Sequence, residues 1–188
     1  MFGRQQAYAL LCEHTEGDSL KRHCLAVEAA LRGYARKLGQ DEELWAVVGV
    51  LHDFDYEKHP DEHPAWGCRF LEEQGWPAEV VRAVASHSDR TGVPRESLLE
   101  KHLYAVDELT GFIAAVAYVR PSKSIHEVEV KSVVKKLKTP AFAAAVNREE
   151  VRQGAELIGL TLEDHIANVI AFMRAEASAL GLAGAEQP

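Results

Sequence analysis

The sequence is short of the features that define most specialised classes. It has only three cysteines, Cys12, Cys24 and Cys68, an odd number with no C-x-x-C pair, which argues against a disulfide framework and a thiolate zinc site. A reducing, cytoplasmic setting is the expectation. No segment approaches the roughly 18 consecutive apolar residues of a membrane span, and the start, Met1-Phe-Gly-Arg-Gln-Gln, lacks a basic region followed by an apolar run, so a soluble, uncleaved chain is expected. Positive charge is also scarce. With 21 Lys and Arg against 29 Asp and Glu, the net charge is −8, which argues against general nucleic-acid or anionic-membrane binding because both need a broad basic footprint. Strand signals are weak: the one alternation, Val128-Glu-Val130, sits inside a better helical pattern.

What is present is helix after helix, with punctuation. A length of 188 residues and 47% hydrophobic composition suit one domain, 1–188, with a well-buried core. Asp18-Ser19 caps a helix over 20–38 that Gly39 ends; Asp41 opens another, with Leu44, Val47, Val48 and Leu51 at helical spacing, that runs out at His52-Asp53. Residues 54–62 are polar, contain Pro60 and read as a loop. His63-Pro64 begins a helix that Gly75 stops, and Pro77 sits in the first turn of one reaching His87. A long helix is expected over 97–118, and Ser124-Ile-His-Glu127 has the form of a capping box, with Ile125, Val128, Val134 and Leu137 following at helical spacing. Thr139-Pro140 starts a short alanine-rich helix, Asn147 caps the next, and Thr161 caps the last, to about 180, before a frayed tail over 184–188. The fold class expected is all-α.

Nine histidines are the one compositional surplus, and their positions matter more than their number. His23 lies early in the first long helix, His52 and Asp53 close the second, His63 opens the third, His87 ends the fourth, and Asp107 lies inside the fifth. Five successive helices each offer a nitrogen or oxygen donor suited to a divalent metal. Taken alone, His23 is an ordinary half-buried histidine. Asp107 is harder to explain that way, because it adjoins Val106 on an apolar helix stripe and buried aspartate is rare unless paired or metal-bound. Neighbours i and i+1 on a helix do not face each other, so His52 and Asp53 make a poor local pair. At a helix end, where the backbone turns away, both can point at one ion, or one of them can bridge two ions. His14, His102, His126 and His165 lack partners in this pattern and read as surface or structural, and His59 competes with His63 for its role.

These positions resemble the HD-domain superfamily of metal-dependent phosphohydrolases. The family pattern, a histidine on one helix, a His-Asp pair ending the next and an aspartate on a later helix, matches His23, His52-Asp53 and Asp107. A binuclear subset adds two histidines in between, here His63-Pro-Ala-Trp-Gly67 and the His87 that follows Pro77-Ala-Glu-Val-Val. The resemblance covers about residues 19–120, the expected metal-binding core, and leaves 121–188 as a C-terminal helical extension of an HD-like bundle. It implies one or two divalent transition-metal ions (Mn, Fe, Co, Ni or Zn), with Asp53 bridging, His23, His52 and Asp107 around one ion, and His63 and His87 around the other. The implied activity is cleavage of a phosphoester, in a nucleotide or small phosphorylated metabolite, by a metal-activated water.

The chain departs from relatives that continue the pair as His-Asp-Ile-Gly-Lys: here Phe54-Asp55-Tyr56-Glu57-Lys58 follows. Relatives that hydrolyse guanosine tetraphosphate carry a Glu-Asp that Tyr56-Glu57 does not reproduce, which counts against that activity. Proximity in sequence makes Asp55, alongside Asp53, a candidate catalytic residue, with Glu57 as another aid to proton transfer. Tyr56, Trp66 and Gly67 are expected to shape the pocket. Lys58, Arg120 and Lys123 are candidate substrate-binding residues. Arg120 and Lys123 belong to a basic stretch, with Lys131, Lys135, Lys136 and Lys138, that is either a phosphate-binding rim or a solvated helix face. Arg120 lies thirteen residues beyond Asp107, about 20 Å along a helix at 1.5 Å per residue. Two alternatives stand beside the hydrolase: a di-iron oxygenase of the same superfamily, and a non-catalytic, metal-stabilised module for ligand sensing or interaction. Oligomeric state stays open, a homodimer among the options.

Overall fold

In the computed structural model, which describes residues 2–184, the chain is all-α. Its helices are α1 (Arg4–His14), α2 (Asp18–Leu38), α3 (Glu42–Leu51), α4 (Ala65–Glu73), α5 (Ala78–Ser86), α6 (Leu98–Tyr118), α7 (Val130–Leu137), α8 (Arg148–Leu157) and α9 (Leu162–Ala175), with 3-10 turns at Asp89–Thr91 and Ile125–Glu127. Among the described residues there is no strand, only an isolated bridge between Ser124 and Ala183. No helix there is long and apolar enough to cross a membrane. Most of the tail expected to fray, 185–188, lies outside the described residues.

Local chemistry sets the helix ends. Gly39, at φ 66°, turns the chain out of α2 in a left-handed conformation that favours glycine. The Asp41 carboxylate accepts the Glu43 and Leu44 N–H groups and starts α3. Ser97 and Glu100 form a capping box that starts α6. Helices α2 and α6, 21 residues each, run through the centre and bury Val27, Leu31, Leu103, Val106, Leu109 and Ile113. Around them pack α3, α5, α8 and α9, and α1 lies against α3.

Four places depart from the sequence reading, one of them the end of α9, which stops at Ala175 instead of near 180 and gives way to turns. Helix α1 was not anticipated: its apolar side is narrow, with only Ala7 and Leu11 buried. Ser124 caps only a 3-10 turn, and α7 begins separately at Val130: the Arg174 guanidinium of α9 binds the carbonyls of Ile125 and Val128, and Val128 and Glu129 are extended between the turn and α7. Residues 140–146 form turns instead of an alanine-rich helix. There Arg148 donates to the carbonyls of Thr139, Pro140, Phe142, Ala143 and Val146, which draws the chain around one guanidinium.

Candidate metal centre

His23 stands on α2, His52 is the residue on which α3 ends, His63 precedes α4, His87 closes α5, and Asp107 lies midway along α6. Packing brings them together. A Cβ on Gly49 of α3 would lie 2.7 Å from the Glu28 Cα of α2, so glycine is what lets these helices touch. That approach sets the His52 and His23 Nε2 atoms 3.2 Å apart.

Two trios result, each able to hold a metal ion: His23, His52 and Asp107, and Asp53, His63 and His87. In the first, Asp107 Oδ1 lies 3.0 Å from His23 Nε2 and 3.5 Å from His52 Nε2. In the second, His63 and His87 Nε2 are 3.1 Å apart, and Asp53 Oδ1 lies 3.3 and 3.5 Å from them. The other Asp53 oxygen, Oδ2, faces the first trio, 3.6 Å from His23 and 3.5 Å from His52. Asp53 therefore stands between the trios with one oxygen toward each.

The donor chemistry suits cations. Imidazole nitrogens around one ion at bonds of about 2.1 Å stand roughly 3.0–3.4 Å apart, which is the observed spacing. Three rings are anchored through Nδ1: His52 to the Gly49 carbonyl (2.8 Å), His87 to the Val84 carbonyl (2.5 Å) and His63 to Asp55 Oδ1 (2.7 Å). A ring that donates its Nδ1–H leaves Nε2 as a bare lone pair, the arrangement usual for ligating histidines. His63 and His87 turn their Nε2 atoms toward each other at 3.1 Å, a spacing that two nitrogens bound to one cation would have. Electrostatics point the same way. Burial disfavours the charged His52 ring, but Asp53 and Asp107 outweigh it and raise its pKa to about 9. Burial likewise opposes ionisation of Asp53 and Asp107, yet the neighbouring imidazoles hold both carboxyls below their ordinary range. The centre holds negative charge that a bound cation would neutralise.

The trios open into a cavity of about 380 Å³. Tyr56 lines it, as expected, with its ring edge-on to His63. Trp66 does not; it stacks on His59 and Phe70, which also removes His59 from the ligand set. Asp55 sits behind His63, fully buried, with Oδ2 accepting the Gly67 N–H at 2.8 Å, and Gly67 is small because a Cβ there would meet Asp55 Cγ at 2.8 Å. A proton-transfer role for Asp55 does not fit this place, because both its oxygens are engaged and it does not line the cavity. Glu57 accepts the Glu16 and Gly17 N–H groups. Nor are the candidate substrate-binding residues brought to the cavity. Lys58 Nζ donates to the Glu13 carbonyl, Arg120 donates to Ser132 Oγ, and Lys123 is exposed in the turn before the Ile125–Glu127 segment.

Sequence reasoning missed the rest of the wall: Ser88, Asp89, Tyr104, Glu108, Val146 and Glu150 among others. Glu108 follows Asp107 along α6 and was within reach of inspection. Val146 and Glu150 carry no local signal, because only the packing of α8 on α6 brings them here; a Cβ on Gly154 would lie 2.6 Å from Ala105 Cα. Asn147 joins the two glutamates, donating its N–H to Glu108 (3.0 Å) and its Nδ2 to Glu150 (2.5 Å).

Residues 20–111 match the family model for the HD domain, and all six donors lie within them, whereas Val146 and Glu150 lie outside. No curated protein and no solved structure matches the chain. The order of donors along the helices, their convergence in space and the matched stretch agree, and residues 20–111 of the chain are an HD domain.

Proposed function

We propose that the protein is a metal-dependent phosphohydrolase that holds two divalent ions per chain. In this reading His23, His52 and Asp107 bind one ion, His63 and His87 the other, and Asp53 gives one oxygen to each. The observation that carries it is the placement of Asp53, with Oδ2 toward His23 and His52 and Oδ1 toward His63 and His87. His and carboxylate donors suit Mn, Fe, Co, Ni or Zn. Divalent ions so held supply Lewis acidity toward phosphoryl oxygens and bring the pKa of water near neutrality.

The protein's own residues position and enclose. The Nδ1 anchors on Gly49, Val84 and Asp55 hold three ligand rings in fixed orientations. No cysteine lines the cavity, and the hydroxyl of its serine, Ser88, caps the following turn at the Arg90 N–H, so water is the nucleophile this reading requires. Residues 19–120 serve as the metal-binding core of one domain, and the C-terminal extension, described over 121–184, walls the cavity with Val146 and Glu150.

The test is elemental analysis of untagged protein purified without chelators, joined to phosphate release from a panel of phosphoesters. Two ions per chain and turnover with Mn, Co, Ni or Zn are expected, and Asp53→Ala is expected to lose both. Metal-replete protein inert toward every phosphoester overturns the reading, and iron with dioxygen consumption replaces it with an oxygenase.

A further inference from the structure

Every charged side chain on the cavity wall, histidines aside, is an acid: Asp53, Asp89, Asp107, Glu108 and Glu150, with no Lys or Arg among the lining residues. Arg95 lies behind this wall. Its guanidinium stacks 3.7 Å over the Tyr104 ring and donates to the His87 carbonyl and, at 2.6 Å, to Asp89. It pairs directly with Asp89, whereas Glu108 and Glu150 meet, among the described residues, only the neutral Asn147 side chain and N–H within hydrogen-bond reach. The glutamates are not a site on their own; they line the same cavity into which the two trios open.

This placement conflicts with a polyanionic substrate. Two divalent ions against Asp53 and Asp107 leave a surplus of two positive charges, enough for one phosphoryl group. Any further phosphate would lie against Glu108 and Glu150 in a partly enclosed space where repulsion is poorly screened. A cationic group there would meet two carboxylates and the ring of Tyr104, which lines the same cavity. At about 380 Å³ the space is near the lower limit for ligand sites and suits a small molecule.

We infer that the substrate is a small phosphoester whose other end is positively charged, with the phosphoryl group at the metal trios and an ammonium group against Glu108 and Glu150. This rests on the phosphohydrolase reading for the phosphoryl end. Glu108 and Glu150 are then specificity-determining residues, and Glu150 comes from α8, outside the stretch that matches the family.

The experiment measures calorimetric binding of phosphoethanolamine, phosphocholine, glycerol 3-phosphate and adenosine triphosphate to metal-replete protein, with phosphate release followed in parallel. The two cationic esters are expected to bind at least about tenfold more tightly than glycerol 3-phosphate, a difference of ~1.4 kcal/mol, with the triphosphate weakest. In Glu150→Gln and, separately, Glu108→Gln, the ratio between phosphoethanolamine and glycerol 3-phosphate should fall toward one. Glycerol 3-phosphate or the triphosphate binding as tightly as the cationic esters overturns the inference, as does a ratio unchanged in both variants. Phosphate release reports separately on the hydrolase reading: a binding preference without hydrolysis upholds the inference about the cavity and removes the proposed activity.

Discussion

Asp55 shows how far one side chain's role depends on what lies behind it. From sequence it is a second carboxylate two residues after Asp53; in space it is the fully buried acceptor that orients His63 and satisfies the Gly67 N–H. Asp55→Ala removes both bonds at once. A buried N–H left without a partner costs about 1–3 kcal/mol, and loss of the group behind a ligating histidine lowers metal affinity about 10–100-fold. Under the proposed assignment this second loss falls on the ion at His63, His87 and Asp53 alone. Metal titration should therefore find one ion bound nearly as in the wild type and the other weakened, with urea unfolding reporting the lost stability. Equal weakening of both ions would refute the assignment.

Between elements, glycine decides how closely helices approach. Gly49 and Gly39 illustrate two different uses of the residue. Gly49 allows α3 to rest on the backbone of α2, whereas Gly39 only turns the chain, with open space where a side chain would go. Gly49→Ala forces a methyl group against Glu28 and is expected to cost ~1–3 kcal/mol as overpacking. By moving His52 away from His23 it should also reduce metal content. Gly39→Ala places a Cβ at positive φ and should cost a comparable ~1–2 kcal/mol while leaving metal content as it was. Paired unfolding curves and metal analyses check this, and full metal content in a destabilised Gly49→Ala protein would show that the approach of α2 and α3 does not set the site. Element boundaries were legible in sequence wherever a cap or glycine acts locally, as at Asp41, Gly39 and Asn147. They were not where an arginine outside the segment intervenes: Arg174 and Arg148 override the helical pattern around Val128 and over 140–146 by binding backbone carbonyls there.

For the whole molecule, histidines outside the site link stability to pH. His165 is buried, with Nε2–H donated to the Ala105 carbonyl at 2.8 Å and Nδ1 accepting the Tyr34 hydroxyl at 2.6 Å. Burial lowers its pKa to about 4, against a smaller opposing effect of the Ala105 carbonyl. Burial lowers that of His102, packed on the same Tyr34 ring, as well. The folded state keeps these rings neutral while the unfolded chain takes up protons near pH 6.5. Stability from them is thus full above pH 6.5 and is lost as pH falls toward 4, on the order of 3 kcal/mol for His165. Unfolding free energies between pH 7 and 4.5 should fall more steeply in the wild type than in His165→Gln; equal slopes would refute the linkage. The sequence by itself determined the helical class and marked six candidate donors, because periodicity, caps and residue order act locally and show along the chain. Which oxygen of Asp53 faces which trio, the retreat of Asp55 behind His63, and the acidic wall that α8 completes were decided only in three dimensions. They depend on how closely helices distant in sequence approach one another, and that is set by packing at residues such as Gly49 and Gly154.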